Sequence, residues 1–349
     1  MTAAHTTPGY ETEQVWLPCS EGITSWEGDF HSLLLNDRLR MEAYSAGIAE
    51  AVKPGSVVLD LGTGTGILAL WALQAGAARV YGIDLSAAIL KEAMARISAA
   101  GFRDRFIPIN ALSFDVEPPE PMDLIISEIM GNIGDNEDFV RILADARKRF
   151  LKPGGAMLPS QVETYLVPVE AKRAHAELQQ GVCQGLAHDV SLEETLRQRG
   201  ISSPFDFYYD TILPKSGYLA TPRLCRFFRL DGSDAPVYRV DTTFTVARGG
   251  LCTGFKGYFI ANLSPSVALD ISGDDIVRGT ASDSWKHCYL PLRQPIEVRQ
   301  SDRVTLRFSR AYPEMKDTPF RQIYRWQGEI RRGRDVIATF SQSTDPRSS

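Results

Sequence analysis

Glu128 and Glu137 lie nine positions apart in IISEIMGNIGDNEDF, at the end of a strand-like run and downstream of the glycine-rich turn in VVLDLGTGTGILAL. Glycines in such a turn admit positive φ and let a ligand rest against bare backbone, and the helix starting beneath it offers free N–H groups. Two carboxylates beside that turn suit a planar cation, because each accepts charge-assisted, bidentate hydrogen bonds from a guanidinium. Taken singly, each glutamate has an ordinary structural use, Glu128 ending a strand and Glu137 capping or solvating the next helix. The pairing with the turn is what points to chemistry.

In Asp60-Leu61-Gly62-Thr63-Gly64-Thr65-Gly66 the glycine spacing departs from the dinucleotide fingerprint G-x-G-x-x-G, since Ile67 stands where the third glycine belongs. D-x-G-x-G-x-G fits S-adenosylmethionine better than NAD. Asp84, at the end of the next strand-like run, is where a carboxylate can accept both ribose hydroxyls.

The elements that must position these groups are legible in the same pattern. SVVLDLG (56–62), ARVYGIDLS (78–86) and MDLIISE (122–128) read as short buried strands. Between and after them, ILALWALQAGA, AAILKEAMARISAAG and EDFVRILADARKRF have helical spacing, the last stopped by Pro153 and Gly154. Alternation of this kind, from about residue 47 to the strand VETYLVPV, predicts a parallel sheet covered by helices. After about Pro168 the texture turns β-rich, with eight strand-like runs from RLCRFFRLD to DVIATFSQ and one helix, SLEETLRQRG, opened by a capping-box pattern at Ser191 and Glu194. A barrel or sandwich is expected there.

The bulk numbers set the class. A chain of 349 residues, 44% hydrophobic and 23% charged, holds two domains with their own cores. With 43 acidic and 38 basic side chains, it is expected to bind neither nucleic acid nor membrane surfaces. From Met1 to Asp37 there is no Lys or Arg but six acidic residues, which reads as a solvated arm or a lid that attracts cations. Cys19, Cys183, Cys225, Cys252 and Cys288 form no CxxC pair, so no disulfide framework or metal site is expected, and the cytoplasm is the default location.

Together these segments resemble the protein arginine methyltransferase family from about residue 30 to 345. FHSLLLNDRLRMEAY carries Asp37, Arg40 and Tyr44 in the family's D-x-x-R-x-x-x-Y frame, Glu128 and Glu137 match its double-E loop, and SWKHCYLPLRQPIEV resembles its Thr-His-Trp loop. Ser-Trp in that loop is closest to the symmetric-dimethylating branch. The resemblance implies a Rossmann-like α/β domain followed by a β-rich one, divided as 1–46 (arm and cofactor-covering helix), 47–168 (cofactor domain) and 169–349. It also implies a homodimer formed through a helical arm at about 174–205.

Residue by residue, it implies that Arg40 holds the carboxylate of S-adenosylmethionine and Asp84 its ribose. Gly62 and Gly64 face the methionine and ribose portion, Ser113 stands at the adenine-contacting position, and His31, Asp60, Leu85 and Leu112 belong to the same cofactor set. Glu128 and Glu137 are the catalytic pair, with Trp285, Ser284 and Leu34 shaping the substrate side. Departures are visible too. The family's lid tyrosines are replaced by Glu21 and Ser25, with Trp26 adjacent, and the loop histidine is Ser284, which removes any Asp37–histidine pairing. His287 is expected to be a strand residue and RRGRD (331–335) a solvated hairpin turn.

The activity expected from this is methyl transfer from S-adenosylmethionine to an arginine guanidino nitrogen in a protein or peptide. Free L-arginine as substrate, or a non-catalytic cofactor-binding partner, are the alternatives.

Overall fold

The computed structural model describes residues 10–18, 34–185, 191–313 and 321–346. In chain order the principal elements of the first part are α1 (Arg38–Ala51), β1 (Val57–Leu61), α2 (Ile67–Gln74), β2 (Arg79–Asp84), α3 (Ala87–Ala99), β3 (Phe106–Asn110), β4 (Met122–Ser127), α4 (Phe139–Phe150) and β5 (Leu151–Leu158). The five strands form one parallel sheet in the order β3-β2-β1-β4-β5. Val58, Leu59, Leu124, Ile125 and Ile126 are almost wholly buried, as the strands of a sheet covered on both faces must be. The chain leaves β1 toward β2 and β3, then returns to place β4 on the other side. That reversal opens a crevice at the carboxyl ends of β1 and β4, where ligands bind in sheets of this type.

The second part contains β6 (Gln161–Val169), α5 (Lys172–Gln179), α6 (Leu192–Arg199), β7 (Tyr209–Thr211), β8 (Arg223–Phe228), β9 (Tyr238–Thr245), β10 (Gly250–Asn262), β11 (Ala268–Asp270), β12 (His287–Val298), β13 (Arg303–Ala311), β14 (Ile323–Arg332) and β15 (Asp335–Ser343). They make two antiparallel sheets, β7-β12-β10-β6-β8 with β11 beside β10, and β15-β14-β13-β9. All eight strand-like runs are strands. Ser191 caps α6 by accepting the backbone N–H of Glu194, and Gly200 ends it at φ +66°; the Glu194 carboxylate turns to Arg197 instead of closing the box. None of the described helices is long and apolar enough to cross a membrane.

Two expectations need correction. VETYLVPV is β6 and pairs with β8 and β10, so it joins the antiparallel sheet and the division of the chain falls near residue 160 instead of 168. Pro153 and Gly154 do not stop α4. The helix ends at Phe150, where Leu151 turns to extended backbone (φ −79°, ψ 129°), and both residues lie within β5 beside an irregularity in its pairing with β4.

The glycine turn is bound tightly to the fold at one point. Gly66 has φ +76° and caps α2, and a Cβ there would lie 2.8 Å from Ala93 Cβ and 3.1 Å from Ala93 Cα on α3. Gly66→Ala is therefore expected to cost on the order of 2 kcal/mol or more. Gly101→Ala is the control, since Gly101 has a similar φ of +83° but nothing within 4 Å of an added Cβ. Thermal unfolding should show the larger loss for Gly66→Ala; equal losses would mean that backbone strain alone matters.

Candidate active site

The turn after β1, the end of β2 and the loop from β4 to α4 converge on a cavity of ≈ 630 Å³. Its walls include Leu34, Arg40, Gly62, Gly64, Asp84, Leu85, Leu112, Ser113, Glu128 and Glu137. Ten of the residues singled out in the sequence thus share one space. His31 lies outside the described residues, as do Glu21, Ser25 and Trp26.

Each wall has a physical cause. Gly62 (φ +76°) and Gly64 (φ +50°) adopt left-handed backbone that exposes the peptide to the cavity. Asp84 is fixed by its own surroundings: Oδ2 accepts Gly64 N–H at 2.9 Å and Oδ1 accepts Ser86 N–H at 2.9 Å. Each oxygen keeps lone-pair capacity for a further donor. Asp60 stands behind the wall. It is fully buried, and its Oδ2 accepts Thr63 Oγ1 at 2.7 Å and Ala69 N–H at 3.0 Å. Burial pushes its carboxyl up to about 7, and its Oδ1 has no hydrogen-bond partner among the described residues. It holds the turn and the start of α2 and is not part of the cavity wall.

The two glutamates differ sharply. Glu128 accepts the Arg40 guanidinium through Nη2 at 2.8 Å and Nε at 2.9 Å, while Arg40 Nη1 donates to Leu34 O at 3.2 Å. Burial still raises the Glu128 carboxyl, opposed by Arg40. Glu137 has no basic partner among the described residues, and its carboxyl is pushed up to about 8, first by desolvation and then by the negative charges of Glu128 and Asp210. One acid is thus paired with a guanidinium, and the other has only acidic groups among its charged neighbours in the described residues. The sequence reading gave Arg40 to the cofactor alone; in the fold it also links that end of the cavity to Glu128.

The loop carrying these acids is fastened to the β-rich part. Asn132 Nδ2 donates to Asp210 Oδ1 on β7 at 2.5 Å, Asn136 Nδ2 donates to Asn132 Oδ1 at 3.2 Å, and Thr164 Oγ1 on β6 donates to Ile133 O at 2.8 Å. Trp285 and Ser284 stand behind the cavity instead of facing it. The Trp285 indole donates to Met130 O at 2.6 Å and packs edge-on against Phe259. Ser284 gives both its hydroxyl (2.5 Å) and its backbone N–H (2.9 Å) to Asp37 Oδ2, which also accepts Ser282 Oγ at 2.5 Å. The missing histidine is thus replaced by two serines. Asp37 in turn caps α1 by accepting Arg40 N–H at 3.2 Å, so this loop and Arg40 are anchored together.

Reasoning from sequence missed Ser282 and the Arg310 contacts described below, because neither falls near a motif. His287 is a β12 residue as expected; its buried Nδ1 accepts Leu213 N–H at 2.8 Å, and desolvation keeps its ring well below the usual imidazole range.

Two family profiles match in tandem, a methyltransferase domain over residues 58–155 and a PRMT5 oligomerisation domain over residues 161–318. Over 141 residues, 40% of the chain, it is 40% identical to probable protein arginine N-methyltransferase 6 of Arabidopsis thaliana. It is 36% identical over 141 residues to protein arginine N-methyltransferase 6 of Danio rerio. The chain is similar in sequence to protein arginine N-methyltransferases. The matched regions span 32% and 40% of those two relatives, so the chain aligns with well under half of their length. Across the fold the likeness to protein arginine methyltransferases is broader. The structure superposes on the Trypanosoma brucei PRMT1 enzyme–prozyme heterotetrameric complex with AdoHcy at a TM-score of 0.74 and 19% identity, covering 90% of this chain and 96% of that one. Protein arginine methyltransferase 10 of Arabidopsis thaliana gives 0.74 and 21%, covering 90% and 97%. These likenesses establish a shared fold: a parallel Rossmann-like sheet and a β-rich partner.

Proposed function

We propose that this chain is an S-adenosylmethionine-dependent methyltransferase acting on the guanidino nitrogen of an arginine in a protein or peptide. The observation that carries this is the asymmetric acid pair, Glu128 held by Arg40 and Glu137 without a basic partner among the described residues, on the wall shared with the glycine turn and Asp84. The donor set fits the cofactor. Gly62 and Gly64 present bare backbone, Asp84 has acceptor capacity for ribose hydroxyls, and Arg40 faces the same space to receive a carboxylate. When bound, S-adenosylmethionine supplies an electrophilic methyl group on a sulfonium.

The residues of the chain do the rest. A guanidinium, with a pKa of about 12.5 to 13.8, shares its charge over three nitrogens and is a poor nucleophile. An ionised Glu137 opposite Glu128 grips the planar fork on two sides, fixes one terminal nitrogen toward the donor and draws positive charge onto the others. Alignment of this kind is worth up to about 7 to 11 kcal/mol of barrier at the extreme. Loss of the proton from the methylated nitrogen follows, with Glu137 its nearest acceptor. The names of the relatives support arginine as the acceptor.

Association into a homodimer through α5 and α6 is part of the same proposal. It is supported by the oligomerisation-domain match and tested by light scattering, where a monomer would count against it. The described cysteines are free, in keeping with a reducing cytoplasm.

The test is incubation with isotopically labelled methyl donor and a panel of Gly-Arg peptides, histone-like peptides and L-arginine, read by mass spectrometry. Methylarginine in a peptide is expected, and its fragmentation reports mono or symmetric dimethyl product. Turnover of L-arginine alone would replace the protein acceptor with a small-molecule one. Cofactor binding with no turnover of any guanidine would overturn the enzymatic reading. In the same assay Asp84→Ala should weaken cofactor binding at least about tenfold, the worth of one lost charge-assisted contact.

A further inference from the structure

Glu137 is flanked by two aspartates that face away from the cavity. Asp135 and Asp138 are wholly buried, and one guanidinium from the β-rich part, that of Arg310 on β13, holds both. Arg310 Nε lies 3.3 Å from Asp135 Oδ2; its Nη2 donates to Asp138 Oδ1 at 2.8 Å and to Asp135 O at 3.3 Å. Tyr324 donates to Asp135 Oδ1 at 3.1 Å and Tyr312 to Asp138 Oδ1 at 2.5 Å. Arg310 Nη1 also donates to Pro236 O. Asp138 sits at φ +61°, and its Oδ2 also lies 3.1 Å from Nε of the half-exposed Arg141 one turn along α4, so a local ion pair and the distant Arg310 hold it together. Arg310 does not line the cavity and touches neither glutamate.

We propose that Arg310 is a positioning residue for Glu137: by clamping the residues two before and one after it, this guanidinium sets the direction from which the Glu137 carboxyl enters the cavity and makes that direction depend on the docked β13–β14 pair. The inference rests on the reading of Glu137 as a guanidinium acceptor. It explains why three ionisable groups are buried at a place where apolar packing would serve stability as well. A two-pronged grip fixes angle as well as distance, which a lysine in the same place does not.

The test compares wild type with Arg310→Lys and with a neutralised trio, Arg310→Met, Asp135→Asn and Asp138→Asn, which leaves no unpaired buried charge if Arg310→Lys fails to fold. Expected in whichever variant folds is a fall in kcat/KM on an arginine peptide on the order of 10²-fold, the cost of a misplacement near 1 Å. Cofactor affinity measured by calorimetry should stay within about twofold, since the clamp does not reach the glycine turn. The acid limb of the kcat/KM profile should also move to lower pH as Glu137 gains solvent. The groups that face it, Glu128 from the end of β4 and Asp210 on β7, remain unchanged.

A merely structural role predicts a lower Tm with kcat/KM and the acid limb unmoved in the folded variant, and that result overturns the proposal. Calorimetric binding of the same peptide separates this from the underlying reading. A wild type that neither methylates nor binds the guanidine removes the acceptor role of Glu137 and the positioning role with it, whereas a wild type that does both, matched by the variant, removes the positioning role alone.

Discussion

Glu128→Gln is expected to lower kcat/KM for an arginine substrate on the order of 10³-fold while the protein still folds and binds its cofactor. Glu128 pairs with Arg40 in the fold and, in the mechanism proposed above, would also receive the substrate guanidinium. A glutamine keeps the shape and one acceptor oxygen but gives no charge to either. Loss of a single preorganised electrostatic contact at a reacting centre costs about 10² to 10³ in rate, and here the remaining acid cannot hold the fork from both sides. The stability effect runs through Arg40, which is buried and would face a neutral partner, so a Tm lowered by several degrees is expected as well. Cofactor affinity should change less than about fivefold, because Arg40 is then freer to meet a carboxylate. A Gln variant with wild-type turnover would remove the mechanism, whatever its Tm.

Glu137→Gln separates function from stability even more clearly. Its carboxyl titrates at about 8 in the folded protein against an ordinary value of 4.5. Because the folded state holds this proton more tightly, wild-type stability falls as pH rises through the window from 4.5 to about 8 and levels off above it. At about 1.4 kcal/mol per unit, the group's contribution over that window is roughly 5 kcal/mol at most. Glutamine carries no such dependence. The variant should therefore match wild type near pH 5, unfold at a higher temperature near pH 9, and yet lose activity at every pH.

Wild-type kcat/KM should fall about tenfold per unit below pH 8, since only the ionised carboxyl receives a guanidinium; the kcat profile should bend at lower pH, because a bound cation favours the charged form. Thermal melts at the two pH values and a kcat/KM profile decide it. A variant no more stable than wild type at pH 9 would show that Glu137 is compensated in the fold.

Much of this was legible in the chain because local chemistry dictates it. Buried parallel strands must read as apolar runs, so β1, β2 and β4 announce themselves, and the glycine turn can only follow one of them. Glu128 follows directly from its place at the end of β4, and Glu137 from the loop it closes. What the sequence does not show is pairing across distance. The alternating pattern of VETYLVPV is that of any strand, and only its contacts with β8 and β10 assign it to the second sheet. Ser284 reads as the loss of a histidine until the fold lays its hydroxyl on Asp37, 247 positions away. Arg310 is an unremarked arginine in RVTLRFSRAY, and its partners Asp135 and Asp138 read as polar loop residues rather than as a clamp. Arg40 sits in a motif that names the cofactor, which hides its second partner, Glu128.

The central claim is that one paired and one unpaired carboxylate receive a guanidinium beside a sulfonium methyl donor. The most direct measurement is a crystal structure of the chain with the demethylated cofactor and an arginine peptide. The account predicts the guanidinium lying between Glu128 and Glu137 in hydrogen-bond contact with both, one terminal nitrogen facing the sulfur with room for a methyl group between them. A guanidinium bound elsewhere, or a Glu137 side chain turned away from it into an internal ion pair, would contradict it.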